Sequence, residues 1–407
     1  MDKAEKRKNA LQETKERRKK QSPVVFQLKL QNLSKKKKED LKRAFLEAKW
    51  LYNWLVSDTQ RLSFPANKVQ EVEVKVADSF ENRKLLLLGS QIKQEIADRL
   101  KDNLRALSQL KKKGHKVGAL KHKSFVNSIP LKQYGVTFTL DRCKNRTRIQ
   151  KLGIFRVLGL HQIPPEAEIA SAVLVQKPSG YYLHVTCYVP KENTSRQFIG
   201  QAIAIDFGVH TKLTLSNGFK IDFEFRETER LKTLQRKFQR TKKSSKSRKK
   251  LRFLLRREYE RLARRRRDVH NKVLAFLKGY KEVVFQEDFV KGWVCLFGVP
   301  VHSSGVGGLK ARLSSSLATP IPVGRYESTT KECFACGRLH ELSLGDRVLE
   351  CQCGWVCDRD HNAALVILRK GLGLSPVQAV GLDRGQNLSL WRGSPSHESW
   401  GLVPISV

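Results

Sequence analysis

Five of the eight cysteines, Cys333, Cys336, Cys351, Cys353 and Cys357, crowd into 25 residues, while Cys143, Cys187 and Cys295 are scattered. That distribution points to a metal site, not a disulfide framework. Cys333-x2-Cys336 is followed after fourteen residues by Cys351-x-Cys353, and a glycine, Gly337 or Gly354, directly follows each pair. This is the logic of a zinc ribbon: four thiolates suit a closed tetrahedral Zn²⁺ with a structural role. In a short segment with little core the metal supplies much of the folding free energy. The second pair is spaced more tightly than the common two residues, which leaves Cys357 open as a substitute ligand. The three scattered cysteines read as small buried hydrophobes.

Three acidic residues stand where hydrophobic segments begin or end. Asp206 lies in Ala204-Ile205-Asp206-Phe207-Gly208, Glu287 closes Val283-Val284-Phe285-Gln286, and Asp360 opens a helix that runs through Val366, Ile367 and Leu368. Each has an ordinary alternative, since a strand-ending Asp often serves a turn and Asp360 fits a helix cap. Taken together they are the oxygen ligands that a pair of Mg²⁺ (or Mn²⁺) ions needs, because hard cations take carboxylates and keep waters. Two such ions activate a water and stabilise the leaving oxygen of a phosphodiester, so no His, Cys or Ser nucleophile is required. The ribbon ends just before Asp358, so losing zinc should also disturb Asp360.

Lys and Arg number 79 against 39 Asp and Glu, a net charge of +40 over 407 residues. So large an excess repels itself unless a polyanion neutralises it, and nucleic acid is the natural partner. No apolar run approaches the ~18 residues of a spanning helix, and the first twenty residues are charged, unlike a signal peptide. Neither a membrane partner nor export is therefore expected, and the cytoplasm or nucleoid is the expected location.

The elements that must position these residues follow from periodicity. Residues 1–22 mix basic and acidic side chains with almost no apolar face, a helical or fraying arm. Leu41, Phe45, Ala48, Tyr52 and Leu55 form one helical stripe, and Ile92, Ile96, Leu100, Leu104 and Leu107 a second. Strand-like segments follow at Val136–Leu140, Ile154–Leu158, Ala172–Gln176 and Tyr181–Val189, with a turn at Lys177-Pro178-Ser179-Gly180. This half reads as a small antiparallel β-domain with a helical insert. The chain turns polar over Pro190–Arg196, and a new unit opens with strands at Ala202–Phe207, Lys212–Ser216 and Lys220–Phe225, Asn217-Gly218 making the hairpin turn. Three antiparallel strands are how an RNase H-like fold begins. A basic helical hairpin follows, with Leu231, Leu234, Phe238, Leu255, Tyr259, Leu262, Val269 and Val273 on its buried side and four consecutive arginines, Arg264–Arg267, that repel one another unless phosphates intervene.

In combination and order, Ile205-Asp206-Phe207-Gly208, Gln286-Glu287-Asp288-Phe289, the Ser328–Gly337 segment and Asp358-Arg359-Asp360-His361-Asn362-Ala363-Ala364 resemble the TnpB family of transposon-encoded RNA-guided nucleases, and beyond it the compact type V CRISPR effectors. The motifs cover about half the chain, from Ala202 to Leu368; the N-terminal half is similar only loosely, through Tyr52-Asn53. The resemblance implies an α/β fold: an RNase H-like (RuvC) nuclease domain with inserted basic helices and a zinc ribbon, preceded by a small antiparallel β-barrel domain with a helical insertion. It divides the chain into an arm (1–22), a wedge-like β-barrel (23–40 and 115–196), a helical recognition insert (41–114), the nuclease domain (197–330 and 358–380), the ribbon (331–357) and a tail (381–407). It further implies an endonuclease that takes a guide RNA from a transposon end and cuts double-stranded target DNA beside a short motif, with Asp206, Glu287 and Asp360 holding Mg²⁺ and Cys333, Cys336, Cys351 and Cys353 holding Zn²⁺. Asp360 is preferred to Asp358 because it occupies the acid position of Asp-x-Asn-Ala-Ala. The rivals are a nuclease-inactive RNA-guided DNA-binding repressor, a guide-free RNase H-like nuclease or transposase, and a non-catalytic zinc-ribbon RNA-binding protein.

Overall fold

A computed structural model of the chain describes residues 3–76, 79–191, 198–317, 319–343 and 345–376; the tail over 381–407 lies outside them. The chain separates into two compact units, Met1–Thr194 and Ser195–Val407.

In the first unit the elements are α1 (Lys3–Lys19), β1 (Gln21–Gln31), α2 (Lys35–Ser57), β2 (Glu71–Val76), β3 (Ser79–Lys84), α3 (Ser90–Lys112), β4 (Ser128–Leu131), β5 (Phe138–Asp141), β6 (Arg146–Ile149), β7 (Gly153–Leu158), β8 (Glu168–Lys177) and β9 (Gly180–Pro190). Seven strands form one antiparallel sheet in the order β4-β8-β9-β1-β7-β6-β5, which fits the β-domain read from the sequence. Helix α2 starts at Ser34, whose hydroxyl accepts from the Lys37 amide at 3.3 Å, and it buries Leu41, Phe45, Ala48 and Leu55. Tyr52, on the same stripe, is only partly buried. Ile92, Ile96 and Leu100 of α3 join the same core. The insert is not purely helical, because β2 and β3 form an antiparallel hairpin between the two helices. Their alternating charges, as in Glu71-Val72-Glu73-Val74-Lys75, leave only Val72 buried.

The second unit comprises β10 (Gly200–Phe207), β11 (Leu213–Leu215), β12 (Lys220–Ile221), α4 (Glu229–Arg240), α5 (Lys246–Leu277), β13 (Tyr280–Gln286), α6 (Val290–Phe297), α7 (Val299–Ser304), α8 (Val306–Ser316), β14 (Pro320–Val323), β15 (Val348–Glu350), β16 (Val356–Asp358) and α9 (Arg359–Gly371). Its main sheet runs β12-β11-β10-β13-β14; β10, β11 and β12 pair antiparallel, while β13 lies parallel to both β10 and β14. Because successive side chains alternate faces, Ile203, Ile205, Phe207, Val283 and Phe285 pack on α5 and α8, and Ala204 and Val284 pack on α9. Burial on both faces explains why these strands read as unbroken apolar runs.

Three expectations are corrected. Of the three scattered cysteines only Cys187 is buried, while Cys143 and Cys295 are exposed. The third strand stops at Ile221, not Phe225: beyond it Phe223 and Phe225 are both buried, their rings 6.4 and 6.2 Å from that of His270, and the Phe225 amide donates to the Ser303 carbonyl at 3.1 Å. Core packing replaces strand pairing there. On α5 Tyr259 is exposed and its hydroxyl accepts from Gln235 of α4 at 2.8 Å; the neighbouring Glu258 is buried instead, between Arg230 at 3.1 Å and Arg261 at 2.8 Å. The first half of α5 packs on α4 and the second half on the sheet, so one continuous apolar stripe cannot describe the helix.

Candidate metal centres

The two central strands and α9 deliver the acids. Asp206 ends β10 on the face shared with Ala204, the one that packs on α9. Asp360 lies in the first turn of α9, whose cap is not Asp360 but Asp358: Asp358 accepts from the His361 amide at 3.0 Å and pairs with Lys220 at 2.9 Å. With Asp358 so engaged, Asp360 has Arg359 at 3.5 Å and faces Asp206 electrostatically. Burial pushes the Asp206 carboxyl up to about 7, and the charges of Asp360 and Asp288 push the same way; Arg359 and the Phe207 amide oppose them.

Glu287 is placed differently from the other two expected acids. It is exposed, one residue past β13, with its amide donating to the Val323 carbonyl at 2.9 Å. By alternation it follows Val283 and Phe285 on the face opposite to that of Ala204 and Asp206, and the chain then turns back, the Asp288 amide donating to the Gln286 carbonyl at 3.0 Å. Gln286 anchors this end: its amide oxygen accepts from Thr329 at 2.8 Å and its amide nitrogen donates to the Glu327 carbonyl at 2.8 Å. The structure thus places Asp360 and Asp288, the latter present in the quoted motif but not singled out, where their charges act on Asp206, and it leaves Glu287 exposed on the opposite face. Lys310 of α8 pairs with Asp288 at 3.1 Å. It sits in an otherwise unremarked segment, and nothing local in the sequence marks it.

The four thiols converge more simply. The sulfurs of Cys333, Cys336, Cys351 and Cys353 lie within 4.8 Å of one another, with Cys333–Cys353 at 3.7 Å and Cys336–Cys351 at 3.5 Å. A tetrahedron with Zn–S bonds of ~2.3 Å has edges of about 3.8 Å, so the donor set fits one zinc ion. In each pair the following glycine sits at positive φ, +77° for Gly337 and +84° for Gly354, and returns its amide to the first cysteine's carbonyl at 2.9 Å. Such a turn needs a residue without Cβ strain. Cys357 stands outside the group. Its sulfur lies 3.6 Å from His361 Nδ1, and His361 Nε2 lies 3.1 Å from the Ser216 carbonyl. A hydrogen on Nε2 satisfies that carbonyl and makes Nδ1 the acceptor of the thiol.

Helix α9 joins the two centres. The fully buried Asn362 accepts from the Phe334 amide and the Trp355 indole, both at 3.1 Å, and donates to the Glu332 carbonyl at 2.7 Å. Arg369, also buried, donates to the Cys333 and Phe334 carbonyls at 3.2 and 2.6 Å and pairs with Glu332. The helix that carries Asp360 is therefore bonded to the first cysteine knuckle.

The second unit thus combines a mixed five-stranded sheet bearing strand-end carboxylates with a four-thiol knuckle. Residues 184–284 match a family described as probable transposase (OrfB_IS605), and residues 318–367 match the Cas12f1-like TNB domain. A Streptomyces pristinaespiralis protein named "Putative RNA-guided DNA endonuclease" is 32% identical over 185 residues, 43% of this chain and 46% of that protein. A "Putative transposase" of Acanthamoeba polyphaga mimivirus is 26% identical over 211 residues, 45% of this chain and 41% of that protein. The chain spans under half the length of these two relatives. With these matches the resemblance to the TnpB family read from the motifs holds. Among the described residues no helix is long and apolar enough to cross a membrane.

Proposed function

We propose that this chain is an RNA-guided, metal-dependent DNA endonuclease with an RNase H-like (RuvC) catalytic domain, acting in the cytoplasm or nucleoid. The observation that carries the reading is that α9, which opens with Asp360, packs on the face of β10 that ends in Asp206, where the charges of Asp360 and Asp288 both act on the Asp206 carboxyl. Carboxylates crowded this way repel one another, and a divalent cation relieves that repulsion. Their all-oxygen donor set suits Mg²⁺ or Mn²⁺. Bound there, two such ions about 4 Å apart supply an activated water and a stabilised leaving oxygen for phosphodiester hydrolysis. Asp206, Glu287 and Asp360 would hold the ions, and Asn362 and Arg369 would keep α9 and hence Asp360 in place. The sheet order, with three antiparallel strands followed by two parallel ones, supports the RNase H-like assignment.

The four thiols would hold one structural Zn²⁺. The charge of +40 supports a large polyanion partner, read here as guide RNA and double-stranded target DNA, with base pairing carrying the sequence information and the protein supplying backbone contacts and a short motif reader. The relative named as an RNA-guided DNA endonuclease supports the same partners.

The test is to express the chain with its native flanking genomic sequence, purify it at high salt, sequence the RNA that accompanies it, and assay Mg²⁺-dependent cleavage of a matching plasmid with randomised flanks. A discrete RNA, with cleavage lost in Asp206→Ala, is the expected result. RNA without cleavage would make the protein a guided binder, and cleavage without RNA would return it to the guide-free nucleases.

A further inference from the structure

We propose that Lys310 is a positioning residue of the carboxylate site, clamping the turn that presents Glu287. This rests on the functional reading above and adds to it a residue that belongs to none of the acidic motifs. The side chain of Lys310 is 14% exposed. Its ammonium has three hydrogens, and three acceptors surround it: the Gln286 carbonyl at 2.6 Å, the Asp288 carbonyl at 3.2 Å and the Asp288 carboxylate at 3.1 Å. Those acceptors flank Glu287 on both sides, and the Asp288 amide closes the same loop onto Gln286 at 3.0 Å. The ammonium also lies 5.4 Å from the centre of the Phe207 ring, next to Asp206 in the chain. One cation on α8 therefore ties the end of β13 to the end of β10, the two strands that bring acids to the site.

The arrangement assigns different roles to adjacent acids. Asp288 has a fixed counter-ion, whereas Glu287, between the two clamped carbonyls, is exposed. Without the ammonium, the Asp288 carbonyl loses this donor, the Gln286 carbonyl keeps only the Asp288 amide, and the Asp288 carboxylate, whose charge acts on Asp206, loses its counter-ion. The turn would then be free to rearrange, and the acids would no longer be held at one spacing. Outer partners that orient ligand groups typically set metal affinity by ten- to a hundred-fold.

The experiment compares full-length, zinc-loaded wild type with Lys310→Met, Lys310→Arg and Asp206→Asn, titrating Mn²⁺ by electron paramagnetic resonance and following amide hydrogen exchange over residues 286–290. In wild type, Mn²⁺ binding that Asp206→Asn removes is expected. Lys310→Met should weaken that binding at least about ten-fold and speed exchange of the Asp288 amide, with the melting temperature little changed; Lys310→Arg should recover most of the affinity. A merely structural role would lower the melting temperature and leave Mn²⁺ affinity alone, and affinity equal to or tighter than wild type in Lys310→Met would overturn the proposal. If wild type shows no Asp206-dependent Mn²⁺ site, the metal-dependent reading fails; the exchange measurement still decides the clamp, which is lost if the Asp288 amide exchanges at the wild-type rate in Lys310→Met.

Discussion

The two candidate metal centres of the second unit are built in opposite ways. The thiol centre draws all four donors from Cys333 to Cys353, two short knuckles that each close on their own glycine. The carboxylate centre draws its acids from the end of β10, the end of β13 and the start of α9, elements that meet only after a sheet and two helical layers have formed. A local site of this kind stands on its metal, because its segment has little core of its own; a distributed site stands on the packing that surrounds it and can hold like charges close together. The difference predicts that the same kind of damage, removal of one donor, has different consequences at the two sites.

The largest contrast should come from Asp206→Asn. The acid is held in place by the strand and not by the metal, so the fold should survive: zinc content should be unchanged and the metal-free melting temperature equal or higher, since the amide removes a carboxylate that burial and two neighbouring acids disfavour. Cleavage should fall on the order of a thousand-fold, as expected when several kcal/mol of charge stabilisation at the phosphodiester is lost. A stable, zinc-replete variant that still cuts would remove Asp206 from the chemistry.

Cys336→Ser is the mirror experiment. Here the donor is part of what folds the segment, so zinc should be lost and amides over 329–357 should exchange rapidly, while β10 and β13 keep their protection. Because α9 is bonded to the knuckle through Asn362 and Arg369, cleavage should also drop, by about ten- to a hundred-fold. Undiminished cleavage in zinc-free protein would show that the centres are independent.

Asn362→Ala tests the link itself with both donor sets intact. It leaves the Phe334 amide, the Trp355 indole and the Glu332 carbonyl without their buried partner. Protection of the Phe334 amide should fall about a hundred-fold, equivalent to about 3 kcal/mol, with zinc still bound. Unchanged exchange would mean that Arg369 alone carries the coupling.

The same contrast explains what was legible in the sequence. Spacing arithmetic is sufficient for a local site, and Cys333, Cys336, Cys351 and Cys353 are brought together as their spacing suggests. For the distributed site, the hydrophobic runs gave away the strand ends that carry Asp206 and Glu287, but not which acids act on one another: Glu287 falls on the opposite parity from Asp206, whereas Asp288 shares that parity and its charge acts on Asp206. Lys310 was out of reach, since its role depends on α8 packing beside the end of β13. Periodicity also failed where burial changes partner within one element, as at Tyr259 and Glu258 on α5, and where Phe223 and Phe225 leave the sheet for the core. Asn362 was legible as a motif position and not as a clamp, because its three partners lie in the ribbon.

Cys357 carries the smallest expected effect and defines the edge of the thiol centre. The tight spacing of Cys351 and Cys353 left it open as a ligand, yet the structure turns its sulfur toward His361 at 3.6 Å and completes the four-thiol group without it. Burial pushes its thiol up to about 11, with the Asp358 charge acting in the same direction, which suits a thiol that donates to His361 Nδ1. A sulfur–nitrogen hydrogen bond of this length is weak, and a serine hydroxyl can make a similar contact. Cys357→Ser should therefore keep one zinc per chain, change stability by less than about 1 kcal/mol and leave cleavage nearly intact. Zinc quantitation on the purified variant checks this directly: loss of the metal would place Cys357 in the coordination sphere and make the local site one knuckle larger than the four thiols suggest.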